Sequence, residues 1–398
     1  MKSEAKTVII GGGIIGLSIA YNLAKLGESD IVVLEKGYLG NGSTFRCGTG
    51  IRQQFNDEAN IQVMKRSVEL WKGLKEELGH DVKFTQSGYL FLIYSEEELE
   101  AFKKNVRLQN KHGVPSRIIT PEEAKEIVPP LNTDGVIGAA WNHTDGKANP
   151  FKAVFAYARA ARRLGVEIYE YTEAKDIKVE DGKIKAVVTN RGEIKTGRVI
   201  NAANAWAPII NEMAGVPINI PIEPYKHQSV KTEPIKPGQI EPMVISFKHG
   251  GVYMTQEANQ GGLIGGYGLK YGPTYDITPT YEFLRGVSYR FAQIIPALKY
   301  VNVIRIWAGY YAETPDHNAA IGRINEIDEF YIAAGFSGHG FMLAPVVGEA
   351  LAELIVDGKT NKPLDFYDPY RFERGSLGAR HSRWADFGSF LTISTEIL

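Results

Sequence analysis

The sequence predicts an α/β (α+β mixed) architecture. One unit, built on a parallel sheet, is assembled from separated pieces of chain around an inserted unit on a mixed or antiparallel sheet. Three observations predict it. A strand, a glycine-dense turn, a helix and a second strand open the chain within about 30 residues. Segments of period two fill its middle. The glycine-dense "GFSGHGFMLAP" (335–345) then returns to a loop-and-helix pattern near the end.

Each element has its own signal. "TVII" (7–10) is a short apolar run against glycine, as a strand buried on both faces requires. In "IGLSIAYNLAKLG", Ile15, Ile19, Leu23 and Leu26 recur at helical spacing and Gly27 takes the terminating position. "DIVVLEK" is a second buried strand that ends at Glu35. Amphipathic or charged spacing predicts helices over 62–79, 95–113 and 150–164, and another over 120–127 with Thr120 as cap and Pro121 just inside. "GYLFLIYS" (88–95) reads as a strand. From 165 to 204 the alternation, broken at "EDGK" and "NRGE", predicts a meander of short strands. Residues 222–310 are strand-rich with one helix near 281–294, and a last helix is expected over 345–357. Residues 1–85, 145–218 and 315–375 are assigned to the first unit, 86–144 and 219–314 to the second, and 376–398 to a C-terminal extension.

Composition excludes several classes. A net charge of −1 provides no field for nucleic acid or an acidic membrane. Cys47 is the single cysteine, so neither an intramolecular disulfide nor a cysteine-based zinc site can form, and the histidines lack metal-ligand spacing. With no apolar leader at the N-terminus and no run of about 18 apolar residues, a cytoplasmic protein without a membrane span is expected. No Ser-His-Asp arrangement supports hydrolysis.

Gly11-x-Gly13-x-x-Gly16 follows a strand and opens a helix, and Glu35 ends the next strand. That context gives the pattern its meaning. Gly11 permits the tight turn, Gly13 admits a pyrophosphate close to the backbone, and Gly16 lets the helix pack on the sheet. Free N–H groups at the helix N-terminus attract phosphate. Glu35 can accept from a ribose diol. NAD and FAD fit equally at this point, with Ile14, Ile15 and Lys36 beside the same ligand.

The stretch "YLGNGSTFRCGTGIRQQF" separates the two. Gly42, Ser43 and Thr44 suit a phosphate, and Gly48, Thr49 and Gly50 suit a flat ring approached by backbone, with Arg46 nearby. A second small-residue stretch so close behind the acid serves a flavin dinucleotide, not NAD. Ala202, Ala203 and Trp206 in "VINAANAWAP" and Ala174 in the meander extend the contact set. Gly335, Gly338, His339, Gly340, Phe341 and Met342 form the late loop, whose helix N-terminus can face the electron-rich edge of a flavin.

The motifs "VIIGGGIIGLSIAYNLAKLG", "VVLEK", "GSTFRCGTGIR", "VINAANAW", "WAGYYAETPD" and "AAGFSGHGFMLAPVVGE" resemble the D-amino-acid oxidase and sarcosine oxidase superfamily of FAD-dependent oxidoreductases, in order from residue 7 to about 357. Within it, "STFRCGTGIRQQFNDEAN", "IPIEPYKHQ" and "FYDPYRFERG" most resemble the FAD-carrying β subunits of archaeal dye-linked L-proline dehydrogenase complexes. The resemblance implies a discontinuous, glutathione-reductase-like FAD-binding Rossmann domain with an inserted substrate domain. It implies oxidation of the C–N bond of a secondary amino acid, best matched by L-proline to 1-pyrroline-5-carboxylate, with hydride passing to flavin N5. It also implies a heteromeric complex, FMN at a subunit interface in some relatives, and a separate electron acceptor. A sarcosine, glycine or D-amino-acid oxidase using O2 and a non-catalytic flavoprotein subunit are the alternatives.

By the same resemblance Arg52 is the substrate-carboxylate arginine, with Arg46 the nearby alternative, and Tyr253 is a tyrosine on the substrate-facing sheet. Met342 stands where sarcosine oxidases have lysine, which favours a dehydrogenase. Gly309 stands where monomeric sarcosine oxidases have the cysteine that attaches FAD, so non-covalent FAD is expected. Tyr311 stands where some amino-acid oxidases have a second arginine. His227 is read first as a surface or core histidine, with a place lining the substrate lobe as the alternative.

Overall fold

The computed structural model describes residues 1–257 and 261–377. The expected extension over 376–398 lies outside them except for its first two residues. A six-stranded sheet runs in the order Ala320–Ile324, Phe330–Ala334, Arg198–Asn201, Thr7–Ile10, Ile31–Leu34 and Glu167–Tyr169. All its pairings are parallel except that of Ala320–Ile324 with Phe330–Ala334. Successive residues point into different layers. Ile9 and Val33 pack under the helices Ile14–Lys25 and Gly340–Asp357, whereas Val8, Ile10, Val32 and Leu34 pack against Ile177, Ile184, Val187 and Ile194. Burial on both faces is why these short strands lack polar alternation.

The residues 165–204 divide. Ala174–Glu180, Lys183–Thr189 and Gly192–Lys195 do form an antiparallel meander, but the flanking Glu167–Tyr169 and Arg198–Asn201 join the parallel sheet. Period-two alternation marks half-buried strands without saying which sheet they enter.

An eight-stranded mixed sheet takes strands from two stretches of chain: Tyr89–Ile93, Arg117–Ile119 and Gly138–Asn142 from one, and five strands between Glu223 and Glu313 from the other. Met243–Ser246 runs parallel to Tyr89–Ile93 and joins the two groups. Its long edge strand, Val303–Glu313, leads directly into Ala320–Ile324 of the first sheet.

Two helices start earlier than their apolar spacing predicts. One spans Glu58–Leu78, because the Asp57 carboxylate caps it by accepting from Asn60 N at 2.8 Å. The other spans Gly340–Asp357 with Pro345 inside it. Proline deprives the carbonyl of Phe341 of its helical donor. The turn is supported from outside, where Ser67 Oγ and Trp71 Nε1 donate to the Met342 carbonyl at 2.5 and 3.1 Å. Among the described residues no helix is long and apolar enough to cross a membrane.

The helices Ile14–Lys25 and Gly340–Asp357 touch through glycine. A Cβ on Gly348 would lie 2.1 Å from Ser18 Oγ and 2.8 Å from the Ser18 backbone carbon. Gly348→Val should therefore destabilise the chain by about 1–3 kcal/mol, read as a lowered urea midpoint. Gly197→Ala, into open space, should change it by less than about 0.5 kcal/mol.

Candidate functional site

A cavity of about 500 Å³ runs from the N-terminal glycine turn to the face of the eight-stranded sheet. At its first end the backbone sets the geometry. Gly11 has φ +123°, and a Cβ there would meet the Ala202 carbonyl at 2.5 Å; a Cβ on Gly16 would meet the Gly11 carbonyl at 2.0 Å. The helix that follows has Gly13 at its N-cap with no side-chain cap, so its dipole and N–H groups stay available to an anion. Thr44 Oγ1 accepts from Ile14 N at 3.3 Å and brings the second small-residue stretch onto this turn. Glu35 accepts from Gly12 N and Gly37 N at 3.0 and 2.8 Å. Burial raises its carboxyl above the usual range, and these two bonds work against that. Lys36 Nζ sits 3.5 Å from the centre of the Trp206 ring.

At the other end the wall is aromatic. His227 stacks on Tyr311, with centroids 4.3 Å apart, and lies 5.9 Å from Tyr253. Tyr253 exchanges a hydrogen bond with Ser229 Oγ at 2.7 Å. His227 Nε2 is buried with no partner, and burial pushes this histidine down to about 4. Burial also pushes Tyr253 and the Cys47 thiol up to about 12. The helix Gly340–Asp357 starts here, again without a side-chain cap. The carboxylates lining the cavity are Glu35 and Glu173, both beside Lys36 at the opposite end.

Arg52 lies one layer behind this wall. It donates to the Gln54 carbonyl at 3.0 Å, meets His339 Nε2 at 3.0 Å, and covers the Phe55 ring at 4.2 Å. Burial lowers its proton affinity, while Tyr89, Asp145 and Tyr311 raise it. Among the described residues no carboxylate lies within ion-pair distance of Arg52. Asp145 is pushed up to about 7 by burial and is engaged by Gln53, Gln54 and Asn142 instead.

Of the residues singled out in the sequence, Gly11, Gly13, Ile14, Ile15, Glu35, Lys36, Gly42, Ser43, Thr44, Arg46, Gly48, Ala174, Ala202, Ala203, Trp206, Tyr253, Gly309, Gly338, Gly340 and Phe341 line the cavity. Gly16, Thr49, Gly50, Arg52, Gly335, His339 and Met342 do not, for packing reasons. A Cβ on Gly50 would strike the Tyr89 hydroxyl at 1.5 Å, and one on Gly335 would strike Thr314 Cγ2 at 2.8 Å. The His339 side chain turns to Arg52, and Met342 is core.

Of the two positions open to His227, the structure has the second: it lines the cavity and is not a surface residue. Asn204, Tyr310 and Tyr311 were missed. Asn204 has φ +47° and binds both glycine-rich stretches: its Nδ2 donates to Ser43 Oγ at 3.2 Å, and its Oδ1 accepts from Gly335 N at 3.2 Å and Phe336 N at 3.4 Å. Its signal in "NAANAW" was the type alone, as asparagine tolerates left-handed backbone.

A glycine turn with a buried acid at one end and an aromatic wall under a second uncapped helix at the other fit a flavin dinucleotide. The cavity defines a flavin-dependent oxidoreductase site. Residues 6–354 match the family of FAD dependent oxidoreductases (DAO), and the chain belongs to that family. Its fold is similar to that of L-proline dehydrogenase from P. horikoshii, with 62% identity and a TM-score of 0.92 over 95% of this chain and 100% of that one. Sarcosine oxidase subunit beta of Arthrobacter sp. is 30% identical over 386 residues, covering 96% of this chain and 94% of that protein. Mitochondrial dimethylglycine dehydrogenase of Rattus norvegicus is 30% identical over 93% of this chain, which spans 45% of that longer enzyme.

The depressed His227 value has a consequence for stability. Below about pH 6.5 the unfolded chain binds a proton that the folded chain takes up only near pH 4, so acid favours unfolding. His227 alone should remove about 2 kcal/mol between pH 7 and pH 5, with His249, also held at about 4 by burial, adding in the same direction. Urea midpoints at the two pH values should show His227→Gln less acid-sensitive than the unmodified chain.

Proposed function

We propose that the chain is a FAD-dependent dehydrogenase of a small secondary amino acid, with L-proline the best substrate and 1-pyrroline-5-carboxylate the product. The observation that carries this reading is Arg52, a half-buried guanidinium that among the described residues has no carboxylate within ion-pair distance and stands next to an aromatic cavity end whose described lining holds no carboxylate. Such a cation calls for an anion from outside, and a substrate carboxylate meets the planar fork with two hydrogen bonds. To reach it, Arg52 exchanges its contacts with Gln54 and His339. The 62% identity to an L-proline dehydrogenase supports the choice of substrate.

Bound FAD supplies the two-electron acceptor for the hydride that leaves the carbon next to the substrate nitrogen. The protein's part is to hold a neutral amine over it. With no acid at that end, an ammonium has no counter-charge. Neutral His227 and the Tyr253 hydroxyl offer polar contacts to the substrate nitrogen while the aromatic faces exclude water. FAD is held without a covalent bond in this reading, because a Cβ on Gly309 would lie 2.7 Å from Arg46 Cβ and leaves no room for a cysteine there. Met342 is buried core, which favours transfer of electrons to a partner over the use of O2. The β-subunit relatives support a heteromeric assembly, and the flavin content of the isolated complex, FAD alone or with FMN, tests that extension.

Anaerobic addition of L-proline, D-proline, sarcosine and glycine in turn should bleach the flavin fastest with L-proline. Bleaching by sarcosine or glycine but not L-proline would reject the substrate, and rapid peroxide formation by the chain in air would favour an oxidase. Arg52→Ala should raise KM for L-proline about 10- to 100-fold with flavin content unchanged. An unaltered KM would remove Arg52 from the site.

A further inference from the structure

No residue of the motif "FYDPYRFERG" (366–375) lines the cavity, yet its arginine is among the most enclosed charges of the described residues. Arg371 is 2% exposed and its partner Asp316 is 0% exposed. All five guanidinium N–H groups are placed. Nε and one Nη2 proton bind the two Asp316 oxygens at 2.8 and 3.0 Å, the other Nη2 proton binds the Asn318 carbonyl at 2.7 Å, and Nη1 serves the carbonyls of Tyr367 and Asp368 at 3.1 and 3.2 Å. A full fork of this kind fixes position as well as charge.

What it fixes is the loop 314–319. This loop leaves the strand Val303–Glu313, which carries Gly309, Tyr310 and Tyr311 of the cavity wall. Asp316 Oδ1 also accepts from Thr314 Oγ1 at 3.1 Å, and Thr314 N donates to Ser337 Oγ at 3.3 Å. Ser337, at φ +46°, lies between Phe336 and Gly338, both on the wall. A second arm runs from the Tyr367 hydroxyl to Asn60 Oδ1 at 2.7 Å, and from Asn60 Nδ2 to Asn318 Oδ1 at 3.0 Å. None of the hydrogen bonds of Arg371 reaches the glycine turn, Glu35 or Lys36.

We infer that Leu364–Arg371 is a clasp, and that Arg371 is a positioning residue for the ring end of the FAD cavity, acting through Asp316, Thr314 and Ser337. The inference rests on the FAD reading above. It separates the two ends of the ligand: loosening the clasp weakens the grip on the flavin ring and leaves the grip on the adenylate end intact.

The experiment compares FAD with ADP, a probe of the adenylate end alone, on the deflavinated full chain by calorimetric or fluorescence titration. Arg371→Lys should raise the FAD Kd about 10-fold, shift the visible absorption of the bound flavin, and leave the ADP Kd within about 2-fold. Ser337→Ala, which removes the acceptor for Thr314 N and the hydroxyl contacts to the Ala312 and Gly335 carbonyls, should act in the same direction with smaller size, and it decides the matter if Arg371→Lys does not fold. Parallel losses for FAD and ADP would overturn the inference by showing a general structural role, and so would unchanged affinity for both. An unmodified chain that takes up no FAD is a different result, which rejects the cofactor reading itself.

Discussion

The Asn204 side chain holds together what the chain order separates. One amide joins Ser43 to the backbone of Gly335 and Phe336, and Ser43 Oγ in turn donates to the Tyr310 carbonyl at 2.9 Å. Three stretches far apart in sequence thereby become one wall. Leaving such enclosed N–H groups unpaired would cost about 1–3 kcal/mol, and a residue with a branched or long apolar side chain could not adopt the left-handed backbone that aims the amide at both partners. The stretch around Ser43 and the late glycine loop face the same cavity because this residue bonds both.

Charge is then sorted along the cavity. Glu35, Glu173 and Lys36 stay at the adenylate end. At the ring end burial drives the His227 imidazole, the Cys47 thiol and the Tyr253 phenol towards their neutral forms, and the Arg46 guanidinium stands on the same wall, donating to the Gly42 carbonyl at 2.8 Å. Burial lowers the proton affinity of Arg52 too, but a guanidinium starts so high that it keeps its proton. The nearby Asp145 is itself pushed up to about 7 and spends its oxygens on amide donors. Among the described residues two guanidiniums therefore stand close to these groups, Arg46 on the wall and Arg52 behind it, and a low dielectric strengthens whatever hydrogen bonds they make there.

Much of this was legible in the residues. The first βαβ unit, Glu35 and the late glycine loop were readable because each has a local cause, whether a backbone that excludes Cβ or a strand buried on both faces. Glycine also misled. Gly50 and Gly335 lack side chains to make room for Tyr89 and Thr314, not for a ligand, and sequence spacing does not distinguish the two uses. The edge of each sheet was equally hidden, since Glu167–Tyr169 and Ala174–Glu180 look alike in pattern yet enter different sheets. Asn204 and Tyr311 escaped as cavity residues because their importance lies in partners more than 80 residues away, which leave no local trace.

The ring end of the cavity sits on a seam. Val303–Glu313 is the edge strand of one sheet, and the chain then crosses through the loop 314–319 into Ala320–Ile324, the edge strand of the other. An edge strand has one neighbour in its own sheet, and its other side must find partners elsewhere; for Val303–Glu313 these include Ser43 Oγ on the Tyr310 carbonyl and the Arg46 carbonyl on Trp307 Nε1. Here two such strands are consecutive, and the residues that must face a flat ring, Gly309 to Tyr311, lie on the first of them. The buried Asp316 in the crossing loop therefore does more than balance Arg371. It ties the junction of the two edge strands to the segment that carries Arg371, while the strand before it is held along its length by Glu223–Pro234.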